Sequence, residues 1–241
     1  MNEGPLIAIV TGGGKRVGAA IVAGLLADGW RVVAHVHHDD DAVPEGAIKV
    51  VADLAAEGAA ATIFAAAPGP VRLLVNNAAR FVCDGFGSAN ANEFDAHMAV
   101  NARAPMLLID EFARRHGGGD ALVVNVTDAK LAAPNPDYLS YTLSKYALDG
   151  LTRLAARALA GKGIRVMSIA PATMLPSGAQ DDAGFAATHA LNPLARGVEV
   201  AHVVDAVRFL WRQPAMTGET MLIDGGLQQL ALPRDVQFLE Q

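Results

Sequence analysis

The sequence is poor in cysteine, in aromatic residues and in positive charge. Its single cysteine, Cys83, cannot form an internal disulfide, and the lack of a surrounding Cys-His pattern favours a loop or pocket residue over a nucleophile. The net charge of −6 provides no basic field to recruit nucleic acid, so we expect no nucleic-acid partner. No uncharged apolar run reaches the roughly 18–20 residues of a membrane span, and the N-terminus lacks a signal-peptide pattern. We therefore expect a cytoplasmic protein with no membrane partner.

Apolar residues make up 52% of the 241 residues, and few of them are aromatic. This composition suits short buried strands that alternate with helices in one large domain. Strands are predicted at 6–10, 31–36, 47–54, 71–79, 121–128, 163–172 and 219–226. Helices are predicted at 17–29, 54–67, 91–116, 138–160 and 197–211, with a disturbance in the third before Pro105. The alternation indicates right-handed βαβ crossovers and hence an α/β fold, a doubly wound parallel sheet of about seven strands.

Polar clusters follow the predicted strands at 11–16, 35–39, 76–81, 125–128 and 170–175. Ligands of such sheets bind outside the carboxyl ends of the strands, so these clusters predict one site at that edge. The segment 176–196 is rich in Gly, Pro, Asp and Ala. Two interpretations stand equally: a loop over the substrate, spanning about 173–197, and an ordinary surface insertion.

The turn TGGGKRVG at 11–18 follows a strand and opens a helix, which is the context of a phosphate-binding loop. Gly12, Gly13 and Gly14 permit positive φ and a close approach of the backbone, and Gly18 allows the helix to pack on the strand. The alternative is a plain turn between a strand and a helix.

The second strand ends in HVHHDD. A carboxylate at this place commonly binds a ribose diol, whereas cations accept the 2′-phosphate of NADP. His37 and His38 stand close to this position, and Lys15 can reach the same phosphate from the neighbouring turn. Because histidine is only partly charged at neutral pH, Lys15 should carry most of the attraction, which Asp39 opposes. The pattern favours NADPH over NADH, with a solvated polar strand end as the alternative.

Tyr141 and Lys145 are four residues apart on a predicted helix, so their side chains share one face. A free tyrosine has a pKa of about 10, and a nearby ammonium stabilises the phenolate. We therefore expect Lys145 to lower the pKa of Tyr141 and make it a proton donor near neutral pH. The spacing is common by chance, but here the preceding strand ends in Asn125, Thr127 and Asp128.

Six segments together carry a family resemblance: TGGGKRVG, NNAA (76–79), VNARAP (100–105), YTLSK (141–145), the proline after 164–170 and TGETMLIDGG (217–226). In order and spacing, over almost the whole chain, they resemble the short-chain dehydrogenase/reductase family. The resemblance implies a single Rossmann-like domain over 1–241 and a nicotinamide cofactor. It also implies Tyr141 as catalytic acid/base, Lys145 on the nicotinamide ribose, and Asn101 supporting a proton-relay water.

Departures from the common family pattern point to one branch. Arg16 stands where most members have glycine and Asp128 where most have a catalytic serine, while Ala79 and Ala172 replace frequent glycines. The first two departures resemble the pteridine reductase branch and its dihydromonapterin reductase relatives. That resemblance implies Arg16 near the pyrophosphate and the pterin ring, and Phe81 stacked on the pterin face opposite the nicotinamide.

The chemistry accounts for Asp128. A ketone reductase needs a hydroxyl donor at the oxygen that becomes an alkoxide, whereas a pterin is reduced at a C=N bond whose nitrogen receives a proton. A carboxyl group beside Tyr141 can pass or orient that proton, so we predict substrate contacts for Arg16, Phe81, Asp128 and Tyr141. The alternative is that Asp128 only caps the following turn or helix.

The remaining site predictions follow from the same alignment of motifs. The predicted cofactor-binding residues are Gly12, Lys15, Arg16, Val17, His37, His38, Asp53, Leu54, Asn77, Ala78, Tyr141, Lys145, Pro171 and Thr173. Asp53 is expected to lie near the adenine or to cap a helix. Thr173 is expected to contact the carboxamide or a phosphate, or to be a turn residue. Asn76 is expected to line the wall of the cleft. His97 and His116 should face solvent or core, and no residues have metal-ligand spacing, so we expect no metal.

Three functions remain open from the sequence. The first is an NADPH-dependent reductase of pteridines such as dihydropterin, dihydromonapterin or dihydrofolate. The second is a family member that reduces a ketone, for instance a 3-oxoacyl thioester, and the third is a cofactor-binding sensor without turnover. The resemblance also implies a homo-oligomer, a dimer or tetramer built partly through the helices of Asn101 and Tyr141. The final stretch LPRDVQFLEQ is a candidate to reach a neighbouring subunit.

Overall fold

The computed structural model describes residues 5–176, 185 and 189–238. Its centre is a seven-stranded sheet in the order β3-β2-β1-β4-β5-β6-β7, in which every neighbouring pair is parallel. The strands are β1 Ile7–Thr11, β2 Arg31–Val36, β3 Ile48–Val51, β4 Val71–Asn76, β5 Ala121–Val126, β6 Ile164–Pro171 and β7 Thr220–Ile223. This sheet confirms the predicted α/β fold class.

The described part of the chain contains six helices, which flank the sheet. They are α1 Arg16–Ala27, α2 Ala59–Ala65, α3 Ala91–Met98, α4 Ala104–Arg115, α5 Leu139–Leu159 and α6 Val200–Trp211. One face buries Ile9, Leu74 and Val123 in a cluster that includes Phe112 of α4. The other buries the alternate residues Val10, Val75 and Val124 in a cluster that includes helix residues such as Ile21 and Val207. Because both faces are covered, the strands are apolar at successive positions.

The predicted helix 91–116 is divided. A π-helical turn at Ala99–Arg103 separates α3 from α4, and Pro105 lies in the first turn of α4. Proline lacks an N–H group and its ring crowds the carbonyl four residues earlier, which is that of Asn101. The wider turn accommodates this conflict, which confirms the predicted disturbance before Pro105.

Several predicted elements are shorter in the structure, which corrects the prediction. The third strand covers Ile48–Val51 instead of 47–54, and the second helix covers Ala59–Ala65 instead of 54–67. The Asp53 carboxylate accepts the N–H of Ala55 at 2.8 Å, which makes a turn there, and Gly58 with φ of 84° delays the helix.

The strand order reverses between β1 and β4, so the chain crosses the sheet in opposite directions on either side of this point. Ligands of open parallel sheets bind at such a switch point, beyond the carboxyl ends of the strands. Part of the predicted substrate loop at 173–197 lies outside the described residues, since 177–184 and 186–188 are not described. No helix in the described part of the chain has the length and apolar character needed to cross a bilayer.

Candidate active site

A cavity of about 730 Å³ opens at the carboxyl edge of the sheet, over the switch point. Most of the predicted site residues line it: Gly12, Lys15, Arg16, Val17, His37, His38, Asp53, Leu54, Asn77, Ala78, Phe81, Asp128, Tyr141, Lys145, Pro171 and Thr173. Asn101 is fully buried and is not among the lining residues. The exposed Cys83 does not line the cavity either.

The glycine turn places bare backbone at the cavity floor. Gly12 has φ of +64°, and a Cβ on Gly18 would lie 1.9 Å from the carbonyl oxygen of Gly12. Only glycine therefore allows α1 to pack this closely on the turn. Arg16 begins α1 with φ of 52°, an unusual value for a side-chain-bearing residue, and its guanidinium donates to the carbonyl of Pro176 at 3.1 Å.

His35 braces this turn and was missed by the sequence analysis. Its Nδ1 accepts the N–H of Gly12 at 3.3 Å, and its Nε2 lies 3.0 Å from the carbonyl of Ala52, to which it donates. Burial lowers the pKa of His35, which favours this neutral form. Its buried position in β2, in register with Thr11, is the signal that distinguishes it from His37 and His38.

The rim beyond β2 is polar. The rings of His37 and His38 meet edge to face with centroids 4.2 Å apart. The acid that lines the cavity here is Asp41 and not Asp39, which corrects the prediction. Asp41 accepts the N–H of His38 at 3.1 Å, and this bond, aided by the charge of Lys15, lowers the pKa of the carboxyl.

A chain of buried hydrogen bonds lies beneath the cavity. Asn76 donates to Asn125 at 2.8 Å, Asn125 donates to Thr152 at 2.9 Å, and Thr152 shares a bond of 2.7 Å with Ser168. Asn76 therefore ties β4 to β5 and does not line the cleft, contrary to expectation. Its neighbour Asn77 does line the cleft.

Tyr141 and Asp128 are in direct contact. The phenol donates to Oδ2 of Asp128 at 2.7 Å, while Oδ1 accepts the N–H of Lys130 at 2.8 Å. Asp128 thus both caps the turn at Ala129–Ala132 and pairs with Tyr141, while its part in proton delivery stays a prediction. Desolvation raises the pKa of Asp128. A proton shared between this carboxyl and the phenol is therefore retained to a higher pH than the proton of a free carboxylic acid.

The pKa of Tyr141 does not fall, although its spacing to Lys145 led us to expect a fall. The pKa of Tyr141 is raised well above its ordinary value, first by burial and then by the Asp128 carboxylate. The ammonium of Lys145 donates to the carbonyl of Val126 at 2.7 Å and lies 5.6 Å from the centre of the Tyr141 ring. Burial lowers the pKa of Lys145 to about 8. Tyr141 therefore holds its proton, and a neutral phenol is the form that can donate one.

Asn101 uses its side chain to position the loop after β4. Its Oδ1 accepts the N–H of Arg80 at 2.7 Å, and its Nδ2 donates to the carbonyl of Arg80 and to the hydroxyl of Ser144, each at 2.9 Å. The amide thus joins the loop to α5 from within the π-helical turn. His97, which is fully buried, accepts the N–H of Val82 at 3.3 Å. Together they fix the backbone on both sides of Phe81.

Phe81 projects into the cavity with part of its ring already covered. The ring stacks on Tyr138 with a centroid distance of 4.3 Å and an interplanar angle of 16°, and it meets Tyr141 edge to face at 4.7 Å. Its side chain remains 41% exposed. The Phe81 ring therefore stands next to the phenol, as a predicted substrate-stacking residue must.

Residues 232–238 of the C-terminal segment contact their own chain, and its reach to a neighbouring subunit stays a prediction. The carboxylate of Asp137 accepts two-pronged bonds from Arg234 at 2.8–3.0 Å and a bond from the N–H of Asp235 at 2.8 Å. Tyr138 donates to Gln237 at 3.0 Å. These residues add a wall to the cavity that the sequence motifs did not reveal. In the described part of the chain, no three His, Cys, Asp or Glu side chains group as a metal site.

Comparisons with known proteins place this geometry among reductases. The family profile described as Enoyl-(Acyl carrier protein) reductase matches residues 14–228. L-xylulose reductase from Bos taurus is 35% identical over 91% of this chain and 95% of its own length. Pteridine reductase 1 from Leishmania tarentolae is 32% identical over 91% of this chain and 95% of its own length.

A solved structure is similar in fold over nearly the whole chain. FolM Alternative dihydrofolate reductase 1 from Brucella canis, complexed with NADP, has a TM-score of 0.84 and 35% sequence identity. The match covers 93% of this chain and 94% of that chain.

Proposed function

Because the chain belongs to the short-chain dehydrogenase/reductase family, and is therefore an oxidoreductase, we propose that it is an NADPH-dependent reductase of pteridines. The observation that carries the proposal is the hydrogen bond of 2.7 Å from Tyr141 to Asp128 at the cavity wall. A carboxyl in this place supports proton delivery to a ring nitrogen better than alkoxide stabilisation at a ketone oxygen. The likeness to Pteridine reductase 1 and to FolM Alternative dihydrofolate reductase 1 supports the same substrate class.

The residues at the glycine turn fit a dinucleotide. A Cβ on Gly14 would lie 2.5 Å from the carbonyl oxygen of Ala42, so the turn has no room for a side chain at this position. The backbone just before α1 is therefore uncovered at Gly14. The N–H groups there, together with Lys15, suit the phosphates, and His37 and His38 lie where a 2′-phosphate would be read. Asp53 and Leu54 border the adenine end of the same cavity. The complex of the Brucella canis protein with NADP supports NADPH as the cofactor.

The proposed chemistry divides between two parts of the cavity. Bound NADPH would supply the hydride that reduces the carbon of a C=N bond. Tyr141 gives its proton to the nitrogen, and Asp128, whose pKa is raised, returns a proton to the phenol along their hydrogen bond. Lys145 holds a positive charge beside the phenol and is placed for the nicotinamide ribose. Pro171 and Thr173 border the region between ribose and carboxamide.

The substrate ring is proposed to lie against Phe81. The face of Phe81 that is not stacked on Tyr138 is available to a flat heterocycle, and Arg16 lies on the cofactor side of the same cavity. The role of Asn101 is proposed to be indirect, since its side-chain amide already holds Arg80 and Ser144.

A ketone reductase is the second candidate, because L-xylulose reductase is among the relatives. In that case Tyr141 donates directly to a carbonyl oxygen, and Asp128 has no obvious task. Oxidation of NADPH, followed by its absorbance, separates the two in parallel assays with dihydropterin, dihydromonapterin, dihydrofolate and a panel of ketones including L-xylulose. We expect kcat/KM for a dihydropteridine to exceed that for any ketone by at least tenfold.

A higher kcat/KM for a ketone would replace the proposal with the second candidate. Binding of NADPH without its oxidation by any compound would instead support a sensor. We further propose that the protein acts in the cytoplasm as a dimer or tetramer and that 1–241 forms a single domain.

A further inference from the structure

The wall formed by the C-terminal segment brings charged groups to the substrate end of the cavity. Leu232, Arg234, Asp235, Val236 and Gln237 all line it, opposite residues of the loop after β5. The segment is fastened by the bidentate pair of Arg234 with Asp137, which does not depend on Asp235 as an acceptor. The backbone N–H of Asp235 also donates to Asp137, but the Asp235 carboxylate takes no part in this fastening.

Asp235 and Lys130 form a second, looser pair that borders the cavity. Nζ of Lys130 lies 3.6 Å from Oδ2 of Asp235, beyond the usual hydrogen-bond range of roughly 2.7–3.2 Å. Among the described residues, the other oxygen of Asp235 accepts one bond, from the N–H of Gln237 at 3.2 Å. Lys130 also donates to the carbonyl of Asp137 and faces the ring of Tyr138. Both groups thus keep hydrogen-bonding capacity for a ligand.

Because Lys130 and Asp235 are largely buried, their hydrogen-bonding capacity selects between ligands. The side chains of Lys130 and Asp235 are only 9% and 16% exposed. The Asp235 charge also contributes to the raised pKa of Tyr141, so the carboxylate lies within electrostatic reach of the proton donor. A buried charge that meets a ligand without matching polar groups is penalised, so such a pair discriminates between ring systems.

We propose that Asp235 and Lys130 are the specificity-determining pair of the site and read the 2-amino-4-oxo edge of a fused pyrimidine ring. That edge presents two donors, the 2-amino group and N3–H, followed by one acceptor, the 4-oxo oxygen. The carboxylate of Asp235 accepts from the two donors, and the ammonium of Lys130 donates to the oxygen. This inference rests on the proposed function for its substrate class, and a ketose or an acyl thioester has no matching edge.

The test compares two ligands that differ at one group. Pterin (2-amino-4-oxopteridine) and 4-oxopteridine are titrated by calorimetry into the full-length protein saturated with NADP⁺. Wild-type protein should bind pterin about tenfold to hundredfold more tightly, since the 2-amino group meets a charged acceptor. Asp235→Asn should reduce that preference to about threefold or less while NADP⁺ affinity stays unchanged. The matched control is Asp205→Asn on α6, whose exposed carboxylate lies outside the cavity and should leave the preference intact.

The variant Lys130→Gln tests the contact to the 4-oxo oxygen, at the other end of the pyrimidine edge. It should weaken both ligands by a similar factor, because both carry the 4-oxo oxygen. Equal wild-type affinity for the two ligands, no binding of either, or an unchanged preference in Asp235→Asn would overturn the assignment of Asp235. Weakening of pterin alone, or of neither ligand, in Lys130→Gln would overturn that of Lys130. The titrations measure binding and need no turnover. A failure to reduce pteridines would therefore contradict the proposed function without deciding whether Asp235 and Lys130 bind the pyrimidine edge.

Discussion

At the residue scale, burial sets the behaviour of the three ionisable groups at the reacting end. Tyr141 and Lys145 are 7% and 2% exposed, and Asp128 is desolvated beside them. Low polarity favours the neutral form of each group, so the pKa values of the two acids rise and that of the ammonium falls. The raised pKa values favour the protonated forms of the phenol and the carboxyl. This suits a reductase, which must deliver a proton to its substrate.

Replacement of either proton-bearing group should stop turnover without stopping cofactor binding. For Tyr141→Phe and for Asp128→Ala we expect kcat to fall by about 10²- to 10⁴-fold, the usual contribution of a positioned acid. The dissociation constant of NADPH, measured by calorimetry, should change by less than about threefold, since neither change removes a charged cofactor ligand. Tyr146→Phe is the control, because its phenol donates to the Leu131 carbonyl at the exposed side of α5. Retained turnover in both variants contradicts the mechanism.

We predict that Lys145 lowers the free energy of unfolding of the protein, although turnover depends on it. The fall of its pKa from 10.5 to about 8 corresponds to roughly 3 kcal/mol against the folded state below pH 8. The bond to Val126 offsets part of this, so Lys145→Met should raise the free energy of unfolding by on the order of 1–2 kcal/mol at pH 7 while turnover is lost. Urea denaturation measures the difference, with the exposed Lys162→Met as control.

The pH dependence of that difference follows from the same shift. Between about pH 8 and 10.5 the unfolded chain binds the Lys145 proton and the folded chain does not, so wild-type stability rises with pH relative to the variant. The advantage of Lys145→Met should therefore shrink across this window. A constant difference from pH 7 to pH 10 would show that Lys145 is not held in a destabilised charged form.

At the scale of elements, the helix that carries Tyr141 and Lys145 is fixed at its beginning by a loop from the other side of the cavity. The Asp84 carboxylate accepts the N–H of Ser140 at 2.9 Å and the hydroxyl of the same residue. Asn101 joins the π-helical turn to Ser144, one turn further along. The loop of Phe81 and the helix of Tyr141 are thus positioned as one unit.

The junction of β1 and α1 should tolerate no side chain at residue 18. In Gly18→Ala the new Cβ meets the Gly12 carbonyl at 1.9 Å, so the turn must open and its N–H groups leave the cavity floor. We expect a loss of stability of about 2–4 kcal/mol and at least tenfold weaker NADPH binding. Gly161→Ala is the matched control, since nothing lies within 4 Å of its Cβ position. Equal effects in the two variants, by thermal melting and calorimetry, would contradict the packing argument.

At the scale of the whole molecule, the sheet edge gathers the functional groups and the outer helices remain partly apolar. Met106 and Leu107 of α4 and Leu143, Tyr146 and Leu154 of α5 are all exposed large apolar residues. Residues 143, 146, 150 and 154 follow helical spacing and share one face of α5. The same face carries no direct contact to the cavity, so it is available for association.

The predicted homo-oligomer should depend on this face. Light scattering after size-exclusion chromatography is expected to give two or four times the chain mass of 25.0 kDa. Leu154, the most exposed of the five at 72%, is replaced in Leu154→Glu, which should shift the protein towards smaller species by burying a charge. Phe86→Glu in the loop after β4 is the control, since Phe86 lies outside α4 and α5. A monomeric wild-type protein at micromolar concentration would contradict the prediction.

The sequence by itself determined the α/β fold class, the glycine turn and the shared face of Tyr141 and Lys145. These features depend on periodicity and on spacings of a few residues, which local backbone geometry turns into strands, turns and helix faces. The division of the helix at Ala99–Arg103 was also visible in advance, because Pro105 acts on the turn directly before it.

Only the tertiary structure decided how the site is closed and how its acids titrate. The bond of Arg234 to Asp137 joins residues 97 apart, and no local pattern in LPRDVQF records that the segment returns to its own cavity. The raised pKa of Tyr141 likewise comes from desolvation and from Asp128, where the spacing to Lys145 alone predicted the opposite. Local sequence encodes which groups share an element, whereas burial and long-range pairing depend on how the elements pack, and these set the charge and shape of the site.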